Sequence, residues 1–362
     1  MTDHHRHDTG DSRWRDVEPV RAVTAAALAD RGVPEADEVA EVLVEASLLG
    51  VHTHGVRLLG TYLDELDRKV AKADAHPTVV RDTGPAVLVN AEDALGVVAG
   101  LHGVRTAVQR AKRFGVAVVG VRRSNHFGAA GCYARRIAAH GLLGMVTTSA
   151  ASRVAPYGGA DPLFGTNPIA IAFGDEFCLD MATSQVCFGE IKERGRTGTP
   201  LEPGWAVDAD GLTTLDPAAA SALAPLGGYK GQGLAMAVTV LTAVLVGGPL
   251  DFEMTHVGTS PDGKGRGVAH LLLAIDPEAL GGREAAESAL RRLVDTVRGS
   301  RPVRAEQPVL IPGDPQRAHA ERQRRDGLEL DTATTALLDE LAATLPGTPV
   351  GVGAGHAEEV SS

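Results

Sequence analysis

Six short apolar runs, separated by glycines and polar turns, constrain this chain more than any other feature. They are AVLVN (86–90), VAVVGVRR (116–123), LLGMVTTS (142–149), PIAIAFG (168–174), FCLDMA (177–182) and HLLLAID (270–276). Runs this short, rich in Val and Ile and bounded by turn residues, read as buried strands. Helical patterns lie between and around them. VAGLHGVRTAVQRAKRFG (98–115) reads as a helix closed by Gly115, and GYKGQGLAMAVTVLTAVLVGG (228–248) as a glycine-rich turn followed by a long buried helix. Near the N-terminus, Val39, Val42, Leu43 and Ala46 share one helical face, and a second helix is expected from Thr53 as N-cap, with Val56, Leu59, Leu63 and Leu66 facing inward. EAAESALRRLVDTVRG (284–299) and LDTATTALLDELAATL (330–345) return the chain to helix. Helices, a sheet-rich middle and helices again give an α+β (mixed α/β) protein in which both chain ends can share one domain.

The chain has 362 residues, enough for two domains and a substantial core. A net charge of −11 gives no basic footprint for nucleic acid or an anionic membrane. Three cysteines, Cys132, Cys178 and Cys187, suit neither a disulfide framework nor a CxxC pair, and point to a reducing, cytoplasmic compartment. The polar opening MTDHHRHDTG lacks the apolar core of a signal peptide. The longest apolar run, from Leu234, falls short of the ~20 residues that cross a bilayer.

A dinucleotide-binding G-x-G-x-x-G between strand and helix is missing, as are the P-loop, HExxH and G-x-S-x-G signatures. What remains is a set of weaker strings. GVHTHGVR places His52 and His54 at a helix start, where the positive end of the helix disfavours an imidazolium. In RRSNHFGAAGCYA, His126 stands between a strand and a helix; local chemistry leaves open whether it and His54 are site or turn residues. LDMATS ends an apolar strand in Asp180, LFGTNP opens another with Thr166, and GGYKGQG surrounds Lys230 with glycines that let backbone approach an anion. A metal centre on His52, His54 and His126 finds no supporting acidic spacing, so no metal is expected.

Taken in order, HTHGV, RRSNHFGAAGCYA, APYGG, FGTNPIAIAFG, DMATS, GWAVDADGLTTLDP, LGGYKGQGLAM and IPGDP make the chain resemble the malate/L-lactate dehydrogenase family of the non-Rossmann type. That family includes ureidoglycolate dehydrogenase, diketogulonate reductase, sulfolactate dehydrogenase and reductases of piperideine-2-carboxylate. The resemblance spans about Val20 to about Leu345. It implies a homodimer, a helical domain built from both chain ends, and a non-Rossmann NAD(P)-binding domain with a largely antiparallel seven-stranded sheet. The expected layout is a disordered tail over 1–12, a helical domain over 13–80 completed by about 305–345, a cofactor-binding sheet domain over 81–304, and a loose tail over 346–362.

By the same resemblance, His126 and His54 are the active-site histidines, with His126 placed first as proton donor. Arg57, Tyr62 and Thr166 would hold the substrate; Asp180, Met181, Ala182, Lys230, Gly313 and Asp314 would contact NADH or NADPH. NADPH is favoured because SAASRV, with Ala151 and Arg153, carries no acid to repel a further phosphate. Two departures bear on the substrate. The family arginine that grips a carboxylate falls on Leu58, with Arg57 one residue early, and a common family lysine is Glu190. The expected activity is hydride transfer between nicotinamide and the alpha carbon of a small 2-hydroxy or 2-oxo carboxylic acid. The alternatives are reduction of a cyclic imino acid, or a paralogue that binds NAD(P)H without turnover.

Overall fold

The computed structural model describes residues 13–346, with the side chains of Arg13 and Trp14 left aside. Apart from Pro346, the expectations for the two terminal tails lie outside the described residues. The chain opens with β1 (Arg13–Arg15), α1 (Val17–Asp30), α2 (Ala36–Leu48) and α3 (Leu59–Asp67). Then come β2 (Thr78–Asp82), β3 (Ala86–Asn90), α4 (Gly96–Phe114), β4 (Val116–Ser124), α5 (Ala130–Ala138), β5 (Leu143–Thr148), β6 (Ile169–Phe173), β7 (Phe177–Met181) and α6 (Phe188–Thr197). Three two-residue strands follow, β8 (Ala206–Val207), β9 (Thr213–Thr214) and β10 (Ala222–Leu223), then α7 (Tyr229–Thr239) and a π-helical turn, Val240–Val244. The chain continues through β11 (Val268–Ile275), α8 (Arg283–Arg298), α9 (Asp314–Asp326), β12 (Leu328–Leu330) and α10 (Thr332–Thr344).

Two compact units result. One takes the chain up to Asp67 and from Pro315 onward; the other is Arg68–Asp314. Both changeovers differ from the expected positions near 80 and 305. Residues 68–76 join the sheet unit because their backbone bonds there: Lys72 N–H donates to Asp93 O at 2.9 Å, and Gly263 N–H to Arg68 O at 2.9 Å.

In the helical unit α1 packs on α2, α3 and α10, and β1 pairs antiparallel with β12. The helix expected from Thr53 starts later, at Leu59, after two 3-10 turns over His52–His54 and Val56–Leu58. Gly55 between them is extended, and it packs so closely on α2 that a Cβ would collide with Ser47 Oγ. That hydroxyl accepts the Val56 N–H at 3.0 Å. Thr53 is therefore no N-cap; its Oγ1 lies 2.8 Å from His54 Nδ1.

The sheet unit is mixed α/β, built on a seven-stranded sheet of order β2-β3-β4-β11-β5-β6-β7, in which only β3 and β4 run parallel. All six apolar runs lie on these strands. α4 covers β4 and β11 and α5 covers β5 to β7, while the π-helical turn packs against β11. The α7 segment departs from expectation: instead of being buried, Met236, Val240, Val244 and Leu245 are exposed, Leu245 by 68%. Its sequence is apolar all round, but within one chain only the face carrying Ala235, Val238 and Ala243 is covered.

α4 begins flush against the turn after β4. A Cβ on Gly96 would run into the carbonyl oxygens of Asn125 and His126. These are backbone atoms and cannot swing aside, so Gly96→Ala is expected to destabilise the fold by about 3 kcal/mol, the upper range for overpacking. A thermal melt indistinguishable from that of the parent protein would show that the turn is not held where described.

Candidate active site

β7 is one edge of the sheet, and the expected residues of the sheet unit gather around it. At its far end, Asp180 Oδ2 accepts the Gly131 N–H at 2.9 Å, in the first turn of α5. A carboxylate there complements the exposed amides and the dipole of the helix. Gly131 is required for this approach, since a Cβ would lie 2.6 Å from Asp180 Oδ2. The RRSNHFGAAG turn that carries His126 is thereby tied to the DMATS strand end. Thr166 joins the same place, because its carbonyl accepts both the N–H (2.8 Å) and the Oγ1–H (3.0 Å) of Thr183.

The glycine turn before α7 docks there too: Leu226 N–H donates to Thr183 O at 2.9 Å and Gly227 N–H to Gln185 Oε1 at 3.2 Å. Lys230 follows in the first turn of α7 and is exposed. Met181 and Ala182, in between, are half-exposed. Gly313 and Asp314 lie by the start of β7, where Cys178 N–H donates to Pro312 O at 3.1 Å. Gly313 has φ 106°, and Asp314 is held by Arg298 at 2.6 Å, which also pairs with Glu176. Half-exposed strand-end backbone, an exposed ammonium and a helix N-terminus suit an elongated ligand with apolar rings and a diphosphate. The residues present therefore fit a nicotinamide dinucleotide.

His126 itself has a defined partner: its Nδ1 accepts the Gly128 N–H at 3.3 Å. In the neutral ring this leaves the proton on Nε2. The turn is anchored by its neighbours. Asn125 is fully buried; its Nδ2 donates to Ala94 O (2.9 Å) and Asp93 O (3.0 Å), and its Oδ1 accepts the Arg266 N–H at 3.1 Å. Phe127 lies between two rings, stacked on His270 at 4.4 Å and on Tyr133 at 4.6 Å.

The helical unit carries the other expected residues. His54 is half-buried, and burial holds its pKa below the usual histidine value. His52 meets His319 edge-on at 5.5 Å. Arg57 is exposed and ion-paired with Asp331 at 3.4 Å. Tyr62 is fully buried, which gives its ring a packing role.

Two polar clusters escape a motif reading. His270, fully buried, is 2.7 Å from Ser124 Oγ through Nε2 and 2.7 Å from Thr148 Oγ1 through Nδ1, linking β4, β11 and β5. Burial pushes its pKa down to about 3, so it is neutral. The signal was present as a lone histidine opening HLLLAID. The second cluster is Asn167, at φ 37°, whose Nδ2 donates to Asp251 Oδ2 at 2.7 Å. That buried carboxylate also receives Gly165 N–H and Thr239 Oγ1–H, and burial raises its pKa. Nothing local in TNP marks a partner 84 residues away.

The profile of a family described as malate/L-lactate dehydrogenase matches residues 16–339. The chain is 35% identical over 343 residues to the (2R)-3-sulfolactate dehydrogenase (NADP(+)) of Chromohalobacter salexigens, covering 92% of this chain and 98% of that one. It is 31% identical over 297 residues to the ureidoglycolate dehydrogenase (NAD(+)) of Escherichia coli, with 81% and 84% covered. Among solved structures, the sulfolactate dehydrogenase of Methanocaldococcus jannaschii superposes with a TM-score of 0.85 at 31% identity, over 91% of this chain and 96% of that one.

Burial raises the Asp180 pKa from 3.8 to about 6, against the opposing effects of the Gly131 amide and Arg135. A carboxyl with a raised folded-state pKa contributes most stability below its unfolded value and loses it as pH rises through the folded one. Stability linked to Asp180 is therefore expected to fall between about pH 4 and 6. Asp180→Asn should remove that part of the pH dependence. Melting both proteins at pH 4.5 and 7 tests this, and an unchanged difference between the two pH values would refute it.

Proposed function

The chain belongs to the malate/L-lactate dehydrogenase family, and from that premise we propose that it interconverts a small 2-hydroxy acid and its 2-oxo acid by NAD(P)-dependent hydride transfer. The observation that carries this reading is the gathering of the RRSNHFGAAG turn, the TNP turn, the DMATS strand end and the GYKG turn around the end of β7. Asp180, Met181, Ala182 and Lys230, with Gly313 and Asp314 along β7, would hold the dinucleotide. When bound, it supplies hydride chemistry at nicotinamide C4. NADPH is favoured over NADH by the lack of an acid in SAASRV; the named relatives include an NADP(+) and an NAD(+) enzyme.

The chain's own task is to move one proton and orient the acid. In the reducing direction the developing alkoxide must gain a proton, and in oxidation the hydroxyl must lose it. A histidine serves in both only if it can pass between imidazole and imidazolium. His126 is poorly suited, because an imidazolium Nδ1–H would face the Gly128 N–H that Nδ1 now accepts. It is suited to act as a fixed Nε2–H donor. The Nδ1 partner of His54 is the Thr53 hydroxyl, which can donate or accept. We therefore reverse the order read from sequence: His54 exchanges the proton, and His126 orients. The lowered pKa of His54 keeps it neutral near pH 7, ready to act as base in oxidation. Thr166, on the TNP turn, would contact the substrate.

His54→Ala is expected to lower kcat by about 10²–10⁴-fold, the range for general acid–base catalysis, and His126→Ala to cost less than His54→Ala. Assays would pair NADPH and NADH with a panel of 2-oxo acids and piperideine-2-carboxylate. A larger loss in His126→Ala would return the proton to that residue, and turnover confined to the imine would change the substrate class.

A second copy of the chain is proposed to cover the exposed apolar face of α7 and its π-helical turn, where Met236, Val240, Val244 and Leu245 are 47% to 68% exposed. Leu245→Asp should then convert a dimer to monomers by light scattering. A parent protein that is already monomeric would refute the dimer.

A further inference from the structure

We propose that Arg153, its guanidinium over the Phe188 ring and its loop tied to the one that carries His256, is an anion-binding subsite that takes an oxyanion group of a bound ligand. Arg153 lies on the loop between β5 and β6, and its guanidinium carbon sits 3.9 Å from the centroid of the Phe188 ring. Phe188 is the first residue of α6, eight positions after Asp180, so the stacked pair lies just beyond the strand end that gathers the candidate site.

The surrounding loops are tied to one another by two backbone bonds and one side-chain contact. Ser152 N–H donates to Asp251 O at 3.1 Å, Leu223 N–H to Arg153 O at 2.8 Å, and Ser149 Oγ meets Met254 Sδ at 3.8 Å. Two residues beyond Met254 stands His256. Arg266 reaches the same loop, donating from Nη2 to Thr255 O at 3.2 Å, and its own N–H is held by Asn125 Oδ1 at 3.1 Å. The Arg266 backbone therefore adjoins the turn that presents His126.

Arg153 is half-buried, and it makes no ion pair with any described residue. Other arginines of this chain are matched: Arg298 has Asp314 and Glu176, Arg194 has Glu190, Arg123 has Asp93 and Arg57 has Asp331. Burial lowers the pKa of Arg153, and burial first, then Arg153 and Arg266, lower that of His256. Partly desolvated positive charge with no counter-ion is unfavourable until an anion arrives, and a guanidinium fixed against an aromatic face presents its fork in one orientation. A carboxylate, sulfonate or phosphate oxygen pair matches that fork.

Two sources could supply the anion: the acid group of the substrate or a phosphate of the dinucleotide. The substrate arm rests on the proposed hydroxy-acid reading. It would also give a carboxylate a partner in a chain where Leu58 stands at the expected arginine and Arg57 is already paired.

The test compares the parent with Arg153→Met, which keeps length and apolar contact with Phe188, and Arg153→Lys, which keeps the charge. Malonate binding by calorimetry, without turnover, reads the subsite alone. An affinity loss of about 10–100-fold in Arg153→Met is expected, as for removal of a charged hydrogen-bond partner, with partial recovery in Arg153→Lys. A rise in KM for 2-oxo acids, with NADPH and NADH affinities unchanged, assigns the anion to the substrate. A weaker affinity for NADPH alone, or for both dinucleotides, assigns it to a cofactor phosphate. Weaker malonate binding in Arg153→Met with no oxo-acid turnover in the parent would support the subsite and refute the hydroxy-acid reading. Unchanged malonate, substrate and dinucleotide affinities in a folded Arg153→Met protein would overturn the subsite.

Discussion

The buried side-chain amide of Asn125 is the contact on which the sheet unit's chemistry depends. It sits at the end of β4, where the chain must leave the sheet with its backbone polar groups still satisfied. One amide does this for two separate segments, the loop at Asp93 and Ala94 and the backbone of Arg266. An aliphatic residue of similar size would leave those carbonyls and the amide N–H without partners in a fully buried place, at about 1–3 kcal/mol for each group. Gly96 lets α4 close onto the same turn, and Gly131 lets Asp180 reach α5 from the other side. His126 thus projects from a turn fixed on three sides, and that fixing lets a loop histidine keep one orientation.

Neutral polar groups dominate the ring stack behind this turn. His270 is held neutral between two hydroxyls, and its ring stacks on Phe127, which stacks in turn on Tyr133. Tyr133 O–H closes the loop by donating to Phe127 O. Both hydroxyls also have a backbone carbonyl within reach, so the neutral ring can donate to one of them and accept from the other. A neutral network fully satisfied in this way rigidifies without the desolvation cost of a buried ion. Charge also stands at the edge, at Asp180, Lys230 and the cationic loop around Arg153, where a ligand can meet it.

What was legible in the sequence was whatever depends on local pattern. All six apolar runs became strands, because each buries side chains on a sheet covered by helices. Gly115 closes α4 in the left-handed conformation expected of a helix end. Of the strings that carried the family resemblance, RRSNHFGAAG, TNP, DMATS and GYKG are neighbours around the end of β7, which no single string revealed. Pairings between distant residues were not legible: Asn167 with Asp251, and His270 with Ser124 and Thr148, join segments 84 to 146 residues apart. Periodicity also misled twice. The apolar face after Thr53 hid an extended Gly55 that splits the segment into 3-10 turns, and an all-apolar α7 read as buried although one chain covers only part of it.

The same splitting sets the surroundings of Arg57. In a continuous helix, positions 57 and 58 would differ by about 100° and one of them would face inward. In the 3-10 turn Val56–Leu58, Arg57 points outward to Asp331 while Leu58 is partly covered. The pair with Asp331 is largely exposed, and such pairs contribute about 0–1 kcal/mol. So weak a contact does not by itself commit Arg57 to a structural role, since a bound carboxylate could displace Asp331 at little cost. It does mean that this arginine offers no preorganised grip. Preorganisation favours a cation already desolvated and oriented before the ligand arrives. Of the two arginines, only Arg153, pressed against an aromatic ring with no acid beside it, meets that condition.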